Sequence, residues 1–167
     1  ILYSHKNVKA IIQSMPKILE EFPNAHLQIV GDGKEYTQLK NLIKIKKLEN
    51  KIELLGKISD NELKLRYASC DIYISASTHE MLDLPAIEVM AYGKPVVLSD
   101  ISAHKELINA SESGRTFSLS KKYDMISKIK EVYADKETLK IKARNFAEQN
   151  DWSSVSKKVS DIYQKII

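Results

Sequence analysis

The segment Ser75-Ala-Ser-Thr-His-Glu80-Met-Leu-Asp-Leu-Pro-Ala-Ile-Glu88 sets a polar loop, a proline-initiated helix start and two glutamates close together. A carboxylate at Glu88, about one turn inside that helix, can accept both hydroxyls of a ribose. Amides freed at Leu84, at the neighbours of Pro85 and at Ala86 can meet a phosphate. With no ligand at all, Glu88 would still favour the first turns of its own helix electrostatically. A second candidate is Gly31-Asp32-Gly33, directly after a β-rich run, where glycines let a backbone approach a ligand closely. It lacks the third glycine of a dinucleotide fingerprint, and a plain strand-to-helix turn would use the same residues.

Short β-rich runs alternating with helical periods must position these residues. Val8, Ile11, Ile12, Met15, Ile18 and Leu19 recur at three- and four-residue steps and predict a helix, which Pro16 should kink or split. Ala25 to Val30 reads as a strand. Tyr36, Leu39, Leu42, Ile43 and Leu48 mark a second helix, and Ile52 to Leu55 a strand closed by Gly56. Ser59 and Glu62 form the pattern of a capping box for a helix through Ala68. Strands follow at Asp71 to Ser75, Pro95 to Leu98 and Gly114 to Phe117, with a helix from Pro85 to about Ala91 and a short one around Lys105 to Ile108. The remainder reads as helices broken near Asn150 to Trp152, the last amphipathic through Trp152, Val155, Val159, Ile162 and Ile166. This alternation predicts an α/β fold, a Rossmann-like doubly wound parallel sheet with helices on both faces. Its ligand crevice lies at the carboxyl ends of the strands, in the loops after Val30, Leu55, Ser75 and Leu98.

The 167 residues suit one domain, and their balance excludes several functions. The net charge is +4, but among 26 basic residues only Arg66, Arg115 and Arg144 are arginine, and the lysines are spread along the chain. Nucleic acid is therefore not an expected partner. One cysteine, Cys70, cannot form an internal disulfide, and no apolar run is long enough to span a bilayer, so a reducing, cytoplasmic setting is expected. His26 and His104 have no metal-ligand spacing and read as structural. His79 reads as a loop histidine and Cys70 as a buried thiol.

Taken together, these blocks resemble the carboxyl-terminal domain of GT-B glycosyltransferases, in particular the retaining family 4 class. The residues that carry the resemblance are Lys6-Asn7 opening a helix, Val30 to Gly33, Ile52 to Gly56, and above all Glu80, Leu84, Pro85 and Glu88 running on into Ala91, Gly93 and Pro95-Val96-Val97, followed by Glu106 and Gly114. The resemblance implies that Glu88 binds a donor ribose, that Glu80 and the amides after it contact the transferred sugar, with Met81, Leu82, Asp83, Leu84 and Pro85 in the donor site, and that Lys6 neutralises the diphosphate. Gly31, Gly33, Gly56, Lys57 and Ile58 complete the donor site, the last three against the base. The donor is a UDP-, GDP- or ADP-sugar, and no cofactor is expected. The sequence has no Asp-x-Asp, the motif through which many glycosyltransferases hold a divalent metal. No metal is therefore expected, and leaving-group charge falls to lysine, arginine and a helix N-terminus.

The same resemblance implies an amino-terminal acceptor domain, a first strand and an arginine that would all precede Ile1. The isolated chain is then expected to bind donor weakly and to transfer nothing. The family's Gly-Phe-Gly is here Met81-Leu82-Asp83, which places a negative charge near the expected diphosphate. That departure motivates a second reading, a non-catalytic accessory subunit of the same fold; a third is an unrelated doubly wound binding domain. The basic surface would suit an enzyme at the inner face of an anionic membrane.

Overall fold

The computed structural model describes residues 1–166, with the side chains at positions 158, 165 and 166 outside the described set. After a 3-10 turn at Ser4–Lys6, the elements are α1 (Val8–Glu21), β1 (Leu27–Val30), α2 (Tyr36–Ile45), β2 (Ile52–Gly56), α3 (Asp60–Ser69), β3 (Tyr73–Ser75), α4 (Leu84–Met90), β4 (Val96–Ser99), α5 (Ser102–Ser111), β5 (Gly114–Phe117), α6 (Asp124–Ala134), α7 (Lys136–Gln149) and α8 (Trp152–Ile166). All strand pairs are parallel: β1 with β2, β3 with β4, and β4 with β5.

Helices cover both faces, as the pattern predicted. On β4 the side chains alternate between two cores. Val97 joins Ile12, Ile29, Phe117 and Ile129 on the side of α1, α2 and α6, while Val96 and Leu98 join Ala86, Val89, Met90 and Leu107 on the side of α4, α5 and α7. The strands form two sheets, β1-β2 and β3-β4-β5. A cavity of about 730 Å³ reaches both inner edges and is lined by Met15, Ile18, Gln28, Ile72, Ile74 and Ile129, among others. The two sheets therefore meet through side chains rather than through a backbone ladder.

Three local expectations change. Helix α1 runs unsplit through Pro16, which lies on its exposed side while Ile11, Ile12, Met15 and Ile18 bury the opposite stripe and hold the turns on either side. The capping box at Ser59 is half made. The Glu62 amide donates to Ser59 Oγ at 3.2 Å, but the Glu62 carboxylate accepts from Arg66 at 3.1 Å instead of reaching back to the cap. The helix expected at Lys105 to Ile108 is longer, running from Ser102 to Ser111 and capped by Glu112 in the left-handed region. On α8 the apolar stripe faces outward, with Trp152 84% and Ile162 57% exposed; the Ile166 side chain of that stripe lies outside the described residues.

Candidate functional site

The loops at the carboxyl ends of the strands are tied to one another and to residues 2–6. The Gly31 amide donates to the Gly56 carbonyl at 2.8 Å, and the Leu2 amide to the Asp32 carbonyl at 2.8 Å. A β-carbon at Gly33 would sit 2.6 Å from the Leu2 carbonyl oxygen, so this glycine is required by the close approach of the amino-terminal segment. The glycine loop thus packs against Leu2. Lys57 is exposed and Ile58 half-buried just after β2.

The segment then crosses to the other sheet. Asn7, in the left-handed region at φ 48°, turns the chain from the 3-10 turn into α1 and leaves Lys6 facing the loop after β3. Lys6 Nζ lies 2.5 Å from Glu80 Oε1, and the Thr78 amide donates to the His5 carbonyl at 2.8 Å. Glu80 also accepts from Ser77 Oγ at 2.7 Å. The Glu80 side chain is only 10% exposed and that of Lys6 29%, so the pair is partly shielded from solvent and less screened than a surface bridge. The structure therefore brings together two of the expected residues that stand 74 positions apart in sequence.

Glu88 is exposed on α4 and accepts from the Tyr67 hydroxyl at 3.1 Å. Burial first, and then the Glu88 charge, push the Tyr67 hydroxyl well above its ordinary range, so it remains a donor. Its ring lies 6.0 Å from that of Tyr92, giving Glu88 an aromatic border. Met81, Leu82 and Leu84 project outward, with Met81 92% exposed.

Two expectations about this loop are corrected. The amides expected to be free at Leu84 and Ala86 are occupied, donating to the Leu82 and Asp83 carbonyls at 3.1 and 3.0 Å. The amides of His79 to Asp83, just upstream in the same loop, have no acceptor among the described residues. The Asp83 charge, expected near a diphosphate, is turned inward. Asp83 is 2% exposed, its Oδ1 accepts from the Tyr73 hydroxyl at 3.3 Å, and its Oδ2 lies 3.2 Å from His104 Nε2. The side chain points into the core, where partners on β3 and α5 compensate it.

Burial alone would raise the Asp83 carboxyl. Hydrogen bonds from His104 and Ser75, and the charges of His104 and Lys6, outweigh it and hold the group below its ordinary value. A carboxyl lowered in the folded state adds stability above its unfolded value, about 3.9, and that stability is lost as pH falls through the folded value. Denaturant midpoints measured between about pH 6 and pH 3 should therefore fall more steeply for the natural chain than for Asp83→Asn. Equal slopes would show that Asp83 is not held ionised.

Ser77, Tyr67, Tyr73, Ser99 and His104 were not singled out as parts of the site from sequence. The alternation Ser75, Ser77 at the end of β3 was the one available signal, since a hydroxyl pair there faces the crevice loop. Among the described residues no group of acidic, histidine or cysteine side chains could hold a metal ion, and no helix is long and apolar enough to cross a membrane.

Comparison with known proteins gives one consistent result. The family model for Glycosyl transferases group 1 matches residues 2–158. An uncharacterized glycosyltransferase of Methanocaldococcus jannaschii is 35% identical over 109 residues, covering 65% of this chain and 28% of that protein. The sulfoquinovosyl transferase of Arabidopsis thaliana is 26% identical over 158 residues, covering 91% of this chain and 30% of that protein. The chain thus spans less than a third of these relatives. Among solved structures, the pneumococcal O-GlcNAc transferase in complex with UDP and GlcNAc superposes with a TM-score of 0.85 at 21% identity, covering 98% of this chain and 34% of that one.

Proposed function

Because the chain belongs to the Glycosyl transferases group 1 family, we propose that it binds the nucleoside-diphosphate sugar donor of a retaining glycosyltransferase, whose acceptor site lies on another part of the protein. The observation that carries this reading is the Lys6–Glu80 pair standing beside a run of amides without acceptors, at the carboxyl ends of parallel strands. A lysine and several N–H groups converging on one place suit a diphosphate, whose charge they would offset as the sugar departs. Glu80 then faces the transferred sugar, and Glu88, oriented by Tyr67, takes the ribose hydroxyls. UDP and GlcNAc in the pneumococcal neighbour support a uridine diphosphate sugar as the first donor to test. The intact enzyme would pass the sugar to a glycan, lipid-linked or protein acceptor, and the chain's net charge of +4 would suit work beside an anionic membrane surface.

The cavity between β1 and β3 supports one further part of this reading. Two parallel edges, apolar side chains and covering helices fit an additional strand, and the Leu2 segment already lies at the carboxyl end of β1 where such a strand would finish. We take that strand to be the one expected before Ile1. The accessory-subunit reading was motivated by the Met81-Leu82-Asp83 departure as a whole; the inward turn of Asp83 takes its charge away from the expected diphosphate, while the replaced glycines remain part of that reading.

Calorimetric titration with UDP, GDP and ADP, without metal and at low salt, tests the donor site. One nucleotide should bind saturably to the intact protein, and Glu88→Ala should weaken it by about tenfold or more, as expected for loss of a charge-assisted hydrogen bond. Equal affinity in Glu88→Ala would remove Glu88 from the site. No binding of any nucleotide would sink the donor reading.

A further inference from the structure

The lysines are spread along the chain, but the carboxylates that would balance them are not. From Tyr36 to Lys47, α2 and the turn that closes it hold Lys40, Lys44, Lys46 and Lys47 and no acidic residue. This one element therefore carries a charge as large as the net +4 of the whole chain. Helix α7 is also rich in cations, yet each of them is bridged: Lys136 to Asp71, Lys140 to Glu137, Lys142 to Glu112 and Arg144 to Glu148. Among the described residues no carboxylate bridges any of the four lysines of α2. The acids on the elements packed against α2 are committed elsewhere, Glu20 and Glu21 of α1 to Lys17 and Lys130, and Glu53 of β2 to Gln28. Glu35 and Glu49 lie one beyond each end of the basic stretch.

Local packing fixes which way these groups point. Leu39, Ile43 and Leu48 form the buried stripe. Lys40 and Lys44, four residues apart, share the outer face of the helix, and the closing turn adds Lys47; all three are exposed. Lys47 is left-handed at φ 55° and its amide donates to the Lys44 carbonyl at 3.0 Å, while the Leu48 amide donates to the Ile43 carbonyl at 3.0 Å and the chain drops back into the core. Ile45 stands among these lysines 78% exposed. Like charges four residues apart weaken a helix that has nothing to offset them. The carboxyl-terminal dipole of α2 favours a cation at Lys44, but neither Lys40, which precedes the last turn, nor an exposed isoleucine serves it.

The chemistry of the patch selects its partner. Protein interfaces favour arginine and aromatic side chains and disfavour lysine, and base reading in nucleic acid also leans on arginine. A layer of lipid phosphates asks for neither. Hydrated point charges on flexible stems are drawn to it, and an exposed aliphatic side chain can reach past the phosphates towards the acyl boundary.

We propose that the outer face of α2, from Lys40 to Lys47, is the surface through which this domain docks on an anionic lipid bilayer, with Ile45 entering the headgroup layer. This docking surface refines the membrane part of the reading above and rests on that part alone. The Tyr36 amide donates to the Gly33 carbonyl at 3.0 Å, so α2 begins at the glycine loop and runs away from it. Ile45 therefore lies about 15 Å, one helix length, from the crevice end, and docking leaves the crevice open.

Sedimentation of the intact protein with phosphatidylcholine vesicles, with and without phosphatidylglycerol, tests the surface. Binding should require phosphatidylglycerol and weaken as salt is raised. Each lysine of the patch changed to glutamine should lower partitioning by about fivefold, so Lys40→Gln with Lys44→Gln should lose about 25-fold. Ile45→Ser should weaken binding with no change of charge. Lys121→Gln with Lys122→Gln removes the same charge from an exposed loop after β5, and should change partitioning by less than about twofold. Melting curves check that each variant is folded, and Lys44→Gln with Lys47→Gln provides a second pair if the first is not. An equal loss in the Lys121 and Lys122 variant would reduce the effect to net charge and overturn the proposal. Undiminished binding by the folded patch variants, or equal binding to phosphatidylcholine alone, would do the same. Failure of the intact protein to sediment with anionic vesicles also overturns it and leaves an acidic protein as the occupant of the patch. Titration of the same variants with UDP keeps the two readings apart. Variants that lose vesicle binding should keep their UDP affinity, whereas vesicle binding without any nucleotide binding would leave the docking surface standing and sink the donor reading.

Discussion

Lys6→Ala in the intact protein should lower kcat/KM for the sugar donor by about 10²–10³-fold, the usual loss when one preorganised charge at a departing group is removed. The effect should be large because Lys6 does two things. Its ammonium is the cation that reaches the crevice loop, and its ion pair holds Glu80 in a place where the carboxylate is mostly hidden from water. Removing it strips charge from the diphosphate and leaves Glu80 with Ser77 as its remaining hydrogen-bond partner. The fold should persist, since Lys6 sits on a short turn outside both cores. Steady-state kinetics together with a melting curve separate these effects. A folded Lys6→Ala enzyme with near-natural kcat/KM would show that the diphosphate is met elsewhere.

Gly114→Ala should be the most damaging small substitution for stability. Gly114 pairs with Val96 across the β4–β5 ladder, and a β-carbon there would lie 1.9 Å from the Val96 carbonyl oxygen and 2.8 Å from its carbon. No side chain can give way at that point, because the obstacle is the backbone of a fully buried strand. Either the ladder opens or β5 moves off β4, disturbing Phe117 at its far end. Overpacking of this kind costs about 3 kcal/mol, which for a domain of this size lowers the melting temperature by roughly 10 °C. A thermal scan that places Gly114→Ala within a degree or so of the natural chain would mean that β5 shifts freely, contrary to its packing between α5 and α6.

The alternation of β-rich runs and helical periods was enough to order the elements correctly, because the strands are short and most are apolar runs with Gly, Pro, Asn or Asp at one or both ends. The ends were less legible. The strand expected from Ala25 starts at Leu27, since the Ala25 amide closes a turn onto the Phe22 carbonyl. Pro16 reads in sequence as a break, yet a buried stripe on the other side of α1 carries the helix past it. At the site, Lys6, Glu80 and Glu88 were visible through the resemblance and as loop or helix-start residues. What sequence could not give was direction. Whether Asp83 faces a ligand or the core depends on Tyr73 and His104, which lie on two other elements and reach it only in the folded chain, His104 being held in turn by Ser99. Likewise the loop amides are free or occupied according to one tight turn at Leu82 to Leu84 that no residue type announces.

Residues 2–6 act mechanically as a strap. They are hydrogen-bonded to the glycine loop of one sheet through Leu2 and to the crevice loop of the other through His5 and Lys6, whereas the sheets themselves share only non-directional side-chain packing. Such packing tolerates small sliding motions far better than a hydrogen-bonded ladder does. A ligand held by Lys6, Glu80 and the loop amides would add to this strap, beside any ladder formed by the strand proposed to fill the seam between β1 and β3.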